Sequence, residues 1–329
     1  MNKNQRICGY GVVLTLALGV AGYVGGAANP APTTRPAATQ PADLGVGASL
    51  HGNRLFPADN PWNQDISHAQ VDPDSAKLVA SIGLAKPLHP DFGTKYGIPY
   101  VVVSGQQAKV PITFQYKEES DPGPYPIPLD APIEGGADAP AASDRHVLVL
   151  DRDHWILYEL YNSFPDAKTK SWRAGSGAIF NLKINHQRPA GWTSADAAGL
   201  PILPGLVRYE EIIEAKELTH AVRFTVVRSR RAYVAPATHF ASRNNDPTLP
   251  PMGMRVRLKA DYDLAGFPPA AQVILQGLKK YGMILADNGS DWFITGAPDK
   301  RWDDEVLNTL KRVQGKDFEV VNMGKLVTK

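Results

Sequence analysis

The sequence predicts a mainly β protein, an antiparallel β-sandwich or jelly-roll-like fold with a few peripheral α-helices. Three observations predict it. Eight short segments rich in β-branched and aromatic residues lie between turn residues, at 100–104, 110–116, 146–151, 155–162, 220–227, 254–260, 283–287 and 291–295. Glycine (29) and proline (28) together make about a sixth of the 329 residues, above the usual ~12%. Helical periodicity is confined to 74–82, 269–281, 303–313 and a weaker stretch, 206–215. These helices do not alternate with the strands, as a doubly wound fold would require.

At the N-terminus, Lys3 and Arg6 precede an uncharged run, residues 7–28, that ends in Gly25-Gly26-Ala27-Ala28. A basic start, an apolar middle and small residues at the end read as an export signal cleaved near Ala28. The alternative, an uncleaved membrane anchor, is disfavoured by six glycines in the run. Residues 29–48, with Pro30, Pro32, Pro36 and Pro41, are expected to form an extended linker, and 49–329 a single β-rich domain. The expected location is therefore secreted, periplasmic or in the cell envelope, with membrane contact only through an uncleaved signal. Export removes Lys3, Arg6 and the single cysteine, Cys8. The formal charge of +2 then falls to zero, 33 bases against 33 acids. A neutral, thiol-free chain argues against nucleic acid as partner, and excludes thiol catalysis, disulfides and cysteine-ligated metals.

Within the folded part, the 146–162 segment is the most informative. A turn at Arg152-Asp153 would set His146 opposite Glu159, Leu148 opposite Leu157 and Leu150 opposite Trp155. One face then carries Val147, Val149, Ile156, Tyr158 and Leu160, a core stripe. The other carries His146, Leu148, Leu150, Trp155, Leu157, Glu159 and Tyr161, an apolar and aromatic surface with one carboxylate and one imidazole. His220 shares a strand face with Val222, Phe224 and Val226 and reads as a satisfied core histidine. In 269–281, Val273, Leu275 and Leu278 lie near one helical face, and Gly282 ends the helix. Asn288-Gly289 is the pair favoured by a tight hairpin turn, so 283–287 and 291–295 are expected to pair, with Asp287 serving the turn.

Several chemistries are excluded by motif. The chain has no HExxH, P-loop, GxGxxG, GxSxG or SxxK, and none of its eight histidines has helical metal-ligand spacing. No cofactor and no metal are expected. What remains is carboxylate chemistry. An apolar setting would raise the Glu159 carboxyl toward the range of a general acid, with His146 tuning it. The long loop 188–205 offers Arg188, Trp192 and Asp196: a cation, a stacking plate and a second carboxylate, with Thr193 or Ser194 as an alternative helix cap. Glu134 before Gly135-Gly136 is a loop carboxylate without further support.

Charge is also uneven. Residues 118–153 carry nine acids against two bases, and 223–259 eight bases against Asp246. Arg255, Arg257 and Lys259 share one strand face, which reads either as a solvated face or as a groove for an anionic glycan. Arg223 and Arg255 would then bind carboxylate, and Tyr233 or His239 would move a proton. The leading expectation is a glycoside hydrolase acting on a poly- or oligosaccharide, anionic ones included. Glu159 would be its acid, Asp196 its base or nucleophile, and Trp155, Tyr161 and Trp192 its stacking residues. A uronan lyase and a non-catalytic glycan-binding protein are the alternatives.

The strings FPADNPWN from Phe56, GWTSADAAGLPILPGLVR from Gly191, PPMG from Pro250 and YGMILADNG from Tyr281 resemble an uncharacterised family of secreted bacterial and fungal proteins. The resemblance spans about 56–320. It implies export and one folded unit, and it carries over no activity and no catalytic residue.

Overall fold

The computed structural model describes residues 40–328. The expected export signal and residues 29–39 of the expected linker lie outside the described residues. Residues 40–48 belong to the fold: Ala42 is buried, and Gly45–Val46 pairs antiparallel with Tyr100–Val103. No helix among the described residues is long and apolar enough to cross a membrane.

The fold is mainly β, with 24% strand against 16% helix. Its sheets are mixed, not the wholly antiparallel set expected. A five-stranded sheet runs Gly45–Val46, Tyr100–Val103, Val147–Asp151, Ile156–Tyr161, Ser176–Asn181. A six-stranded sheet runs Phe318–Val320, Arg255–Leu258, Met283–Asn288, Val222–Val226, Phe293–Thr295, His89–Asp91. Tyr100–Val103 lies parallel to Val147–Asp151, and Val222–Val226 parallel to Met283–Asn288. Parallel neighbours need long crossovers, and the many loop residues of this chain supply them.

Val147–Asp151 is buried at every position because both faces of the five-stranded sheet are covered. Leu148, Leu150 and Leu157 enter the main core with Val222, Phe224 and Leu285 of the six-stranded sheet. Val147, Val149, Tyr158 and Leu160 pack instead with Trp172 and Ala174, from a three-stranded sheet of Ile112–Phe114, Ser171–Ala174 and Phe164–Asp166. The division of the hairpin into two faces is therefore as expected, but the register is not. Val147 faces Leu160 and Leu148 faces Glu159, so the turn is the four residues 152–155 and every facing pair shifts by two. The shift is even, which preserves each side chain's face. The expected open aromatic face is interior.

Helices form near their expected limits, at Ser75–Ile82, Pro269–Lys280 and Asp304–Asn308, the last continued by a short 3-10 turn, Thr309–Arg312. Ala271, Ile274, Leu275 and Leu278 bury one face of the second helix, and Gly282 turns the chain at φ +67°. The weaker 206–215 stretch holds a single wide turn, Glu210–Glu214. His220 is the core histidine expected, 5% exposed, with Nδ1 against Ala221 O at 2.7 Å and Nε2 against Glu211 at 3.2 Å.

Two local expectations fail. Met283–Asn288 and Phe293–Thr295 do not pair with each other, because Val222–Val226 lies between them and bonds to both. Asn288-Gly289 thus begins a crossover and not a hairpin. Arg255 and Arg257 do not line a groove: each is only 9% exposed. Arg255 donates to Pro61 O (2.7 Å), Gln64 O (2.9 Å) and Tyr281 O (2.8 Å), and Arg257 to Ile66 O and to Glu319 (2.8 Å). The guanidinium fork suits this clamp, since the irregular 61–66 segment exposes carbonyls that no strand partner satisfies.

Candidate active site

Beside Tyr116, Glu119 and Ser176, four pieces of chain meet at a cleft of about 410 Å³. They are the open end of the 147–161 hairpin, the 191–199 loop, the 238–241 segment and the end of Met283–Asn288. The side chains that matter in its walls are Tyr116, Asp144, Tyr161, Thr193, His239 and Asp287.

The 191–199 loop is held by its own polar groups, as a long ordered loop must be. Ser194 Oγ accepts from Asp196 N at 2.9 Å and sits 2.5 Å from Leu200 O, while Ser176 Oγ donates to Ser194 O at 2.7 Å. Ala198 N donates to Ala286 O at 2.9 Å, and Thr238 N to Ala198 O at 2.9 Å. Gly199 is the pivot, at φ +73°. A Cβ there would lie 2.1 Å from Thr238 Oγ1 and 2.6 Å from Trp192 O. Gly199→Ala is expected to lower stability by about 1–3 kcal/mol, because strain and overpacking act together. Urea unfolding measures it, and a variant within about 0.5 kcal/mol of wild type would contradict this account.

Asp287 comes from a strand irregularity. Phe224 faces Leu285 but Thr225 faces Asp287, so Ala286 is an extra residue that re-aims the strand end. Asn288 N donates to Asp287 Oδ1 at 2.6 Å. Its side chain keeps 22% of its surface at the cleft, while the carboxyl is otherwise enclosed by protein. Burial, and next the neighbouring charge of Asp196, push its pKa up to about 8 against the pull of Arg223.

Beneath it lies a closed ion pair. Asp196 is completely buried and takes both Nε (2.7 Å) and Nη2 (2.8 Å) of Arg223, whose Nη1 donates to Thr295 Oγ1 at 2.8 Å. Arg223 Nη2 is 3.5 Å from Asp287 Oδ2. Although burial opposes the charge of Arg223, its carboxylate partners, Asp196 foremost, hold its pKa well above the ordinary range. A second pair stands beside it. His146 Nδ1 is 2.6 Å from Glu134 Oε2, and Nε2 is 3.0 Å from Ala195 O. Two acceptors on one ring describe an imidazolium, and Glu134 holds the His146 pKa up at about 9 against the opposing effect of burial.

Asp144 reaches the rim because Arg145 adopts φ +47°, turning the chain between an exposed carboxylate and the buried His146. Arg145 is fixed by Nε to Ser163 O (3.0 Å) and by stacking over Phe164 at 4.5 Å. His239 Nδ1 lies 2.7 Å from Ala197 O. That carbonyl can only accept, so Nδ1 carries the proton and Nε2 is the ring's basic nitrogen.

The residues singled out from the sequence separate into two groups. Tyr161, His239 and the backbone of Asp196 line the cleft, with Arg223 and His146 directly behind it. Glu159 is 0% exposed, and its carboxylate accepts from Ile202 N and Leu203 N at 2.9 Å. It anchors the loop to the hairpin and does not face the cleft. Burial raises its pKa to about 7 even though the two backbone donors oppose the rise. The folded value exceeds the ordinary 4.5, so this carboxyl's contribution is complete below pH ~4.5 and is lost as pH rises through about 7. Glu159→Gln keeps one acceptor but sets amide hydrogens against Ile202 N–H. It is expected to cost about 1–3 kcal/mol at pH 5 and to remove that part of the alkaline loss, read from unfolding midpoints at pH 5 and pH 8.

The others lie elsewhere. Trp155 sits at the hairpin turn, about 20 Å along the strand from Tyr161. Arg188 is a brace, ion-paired with Asp121, donating to Thr193 O (2.8 Å) and Glu119 O (2.9 Å), and stacked over Trp192 at 5.6 Å. Tyr233 is 6% exposed on a strand paired with Leu326–Val327. Arg255 is the backbone clamp described above.

Sequence reasoning passed over Asp144, and read Asp287 as a turn residue and Glu134 as an unsupported loop acid. The usable signal for Asp287 was its place at the end of an apolar strand, where a carboxylate is costly to bury. Glu134, Asp144 and His146 each offer one ligand atom within 4.8 Å of the others, a set that could take a divalent cation if Glu134 released His146. Comparison with known protein families, with characterised proteins and with solved structures finds no match.

Proposed function

We propose that this protein cleaves glycosidic bonds by hydrolysis, with Asp287 as general acid. The observation that carries the reading is the Asp287 carboxyl, set beside the buried Asp196–Arg223 pair and open to a cleft that two tyrosines also line, where burial pushes its pKa up. The cleft volume, about 410 Å³, lies within the ~300–1,000 Å³ usual for small-ligand sites. Tyr116 and Tyr161 supply ring faces and hydroxyls, the combination that sugar rings need.

In the proposed reaction Asp287 donates its proton to the glycosidic oxygen as the C–O bond to the anomeric carbon breaks. A water attacks that carbon and passes its proton to the Asp144 carboxylate at the rim. The new Asp287 carboxylate is stabilised by Arg223, 3.5 Å away. Asp196 does not react: by taking Nε and Nη2 on one edge of the Arg223 guanidinium, it limits that cation's pull on Asp287 and adds a negative charge that favours the protonated acid. This replaces the pair Glu159 and Asp196 by Asp287 and Asp144.

The tautomer of His239 favours a second reading. Its basic Nε2 could take the proton α to a uronate carboxylate, with Asp287 protonating the departing oxygen, which is β-elimination in the same cleft. A panel of neutral and uronate oligosaccharides separates the outcomes. New reducing ends without ultraviolet absorbance are expected for hydrolysis, and unsaturated, absorbing products for elimination. Binding without turnover on every member, unchanged in Asp287→Asn, would overturn both.

A further inference from the structure

Beside the cleft lies a second, open depression of about 620 Å³, lined by Arg231, Phe240, Ala241, Ser242 and Arg243. Ala241 belongs to both walls, and Asn288 of the cleft donates from its side chain to Ala241 O at 3.0 Å. The His239 ring stacks on Phe240, 5.8 Å between centroids and 10° from parallel. A chain lying in the cleft can therefore continue across Phe240 without leaving the surface.

The charge in this depression is distinctive. Arg223, Arg255 and Arg257, from the same basic stretch, are buried and committed to carboxylates or carbonyls. Arg230 donates to Pro247 O at 3.2 Å. Arg231 and Arg243 are exposed and have no ion-pair partner among the described residues, and no acid stands in the walls. Arg231 lies over the Phe240 ring at 5.5 Å. Its backbone is fixed by Arg231 N to Asn244 O (2.6 Å), and the turn by Asn244 N to Ser242 Oγ (3.1 Å). Two unpaired guanidinium forks beside an aromatic plate recognise an oxyanion carried on a sugar ring.

We propose that this depression is a subsite for an anionic sugar unit, carboxylate- or sulfate-bearing, adjoining the cleft. The inference rests on the glycan-cleaving reading, and its test is kept separate by measuring binding on an inactive background. Asp287→Asn protein is titrated with a uronate oligosaccharide, a sulfated oligosaccharide and a neutral one of equal length. The anionic ligands are expected to bind more tightly, and whichever of the two does so identifies the group. Adding Arg231→Gln and Arg243→Gln is expected to raise the anionic Kd at least about tenfold, or 1.4 kcal/mol, and the neutral Kd less than about twofold. The wild-type preference is also expected to shrink as salt rises toward ~1 M, where the screening length falls to about 3 Å. Arg243→Glu alone, at an exposed side chain without hydrogen bonds, gives the same direction should the double change perturb the loop. Equal affinity for neutral and anionic ligands, an unchanged Kd in the arginine variants, or no binding of any of the three overturns the subsite. Turnover surviving in Asp287→Asn overturns the cleavage reading instead.

Discussion

Asp287→Asn is expected to lower kcat by about 10²–10⁴ while leaving oligosaccharide binding and the unfolding midpoint near wild type. The amide keeps the oxygen that accepts from Asn288 N and approximates the neutral acid in size, so it removes the proton and little else. A loss of only severalfold would remove Asp287 from the chemistry. The pH profile gives an independent reading. A general acid must be protonated, so activity should fall as pH rises through about 8, the value to which burial and Asp196 push Asp287. In Asp196→Asn one of the charges that raises that pKa is gone, and the alkaline limb is expected to move to lower pH. The same shift has a stability consequence of known sign. The folded pKa lies above the ordinary 3.8, so the neutral form stabilises the fold fully below about pH 4, and this is lost as pH rises through about 8.

Arg223→Leu is expected to be the most destabilising single change, at about 3–5 kcal/mol in urea unfolding. It leaves the Asp196 carboxylate, 0% exposed, without the two nitrogens at 2.7 and 2.8 Å that now hold it. Against the usual 5–15 kcal/mol of total stability, that is a large fraction. The cause can be checked within the pair. Asp196→Leu alone strands the guanidinium, while Arg223→Leu with Asp196→Leu removes both charges and is expected to be milder than either single change. A strictly additive double variant would show that the pair is not a unit. Arg223→Lys keeps the charge but not the planar fork, and is expected to fall between.

The limits of local reading are visible in particular residues. Periodicity and turn residues are properties of neighbouring positions. They locate Ser75–Ile82, Pro269–Lys280 and most strand centres, and they divide the 147–161 hairpin correctly into two faces. Which strand lies beside which depends on contacts far apart in the chain. Val222–Val226 inserts between the two strands flanking Asn288-Gly289, so a turn signal that is valid locally joins strands that never touch. Burial has the same dependence. Glu159 sits on a face that alternates as a site would, and only the loop reaching Ile202 and Leu203 turns it into an anchor. Asp287 had the opposite history: a turn-like residue became the cleft's acid because an extra residue, Ala286, re-aimed the strand end.

By itself, the sequence determined the mainly β class, the approximate limits of three of its four helical segments, the absence of any thiol beyond Cys8, and the concentration of arginines in 223–259. These follow from composition and from short-range periodicity, which need no knowledge of the rest of the chain. Only the tertiary structure decided that the sheets are mixed and that Arg223, Arg255 and Arg257 are internal clamps, while Arg231 and Arg243 are exposed and have no ion-pair partner among the described residues. It also decided that Asp287 and Asp144 bring carboxyl groups to a cleft, while the Asp196 carboxylate is closed off by Arg223 and Glu159 anchors a loop. A carboxylate's chemistry is set by who surrounds it, by the loss of water and the nearest charges, and those neighbours come from strands and loops distant in sequence.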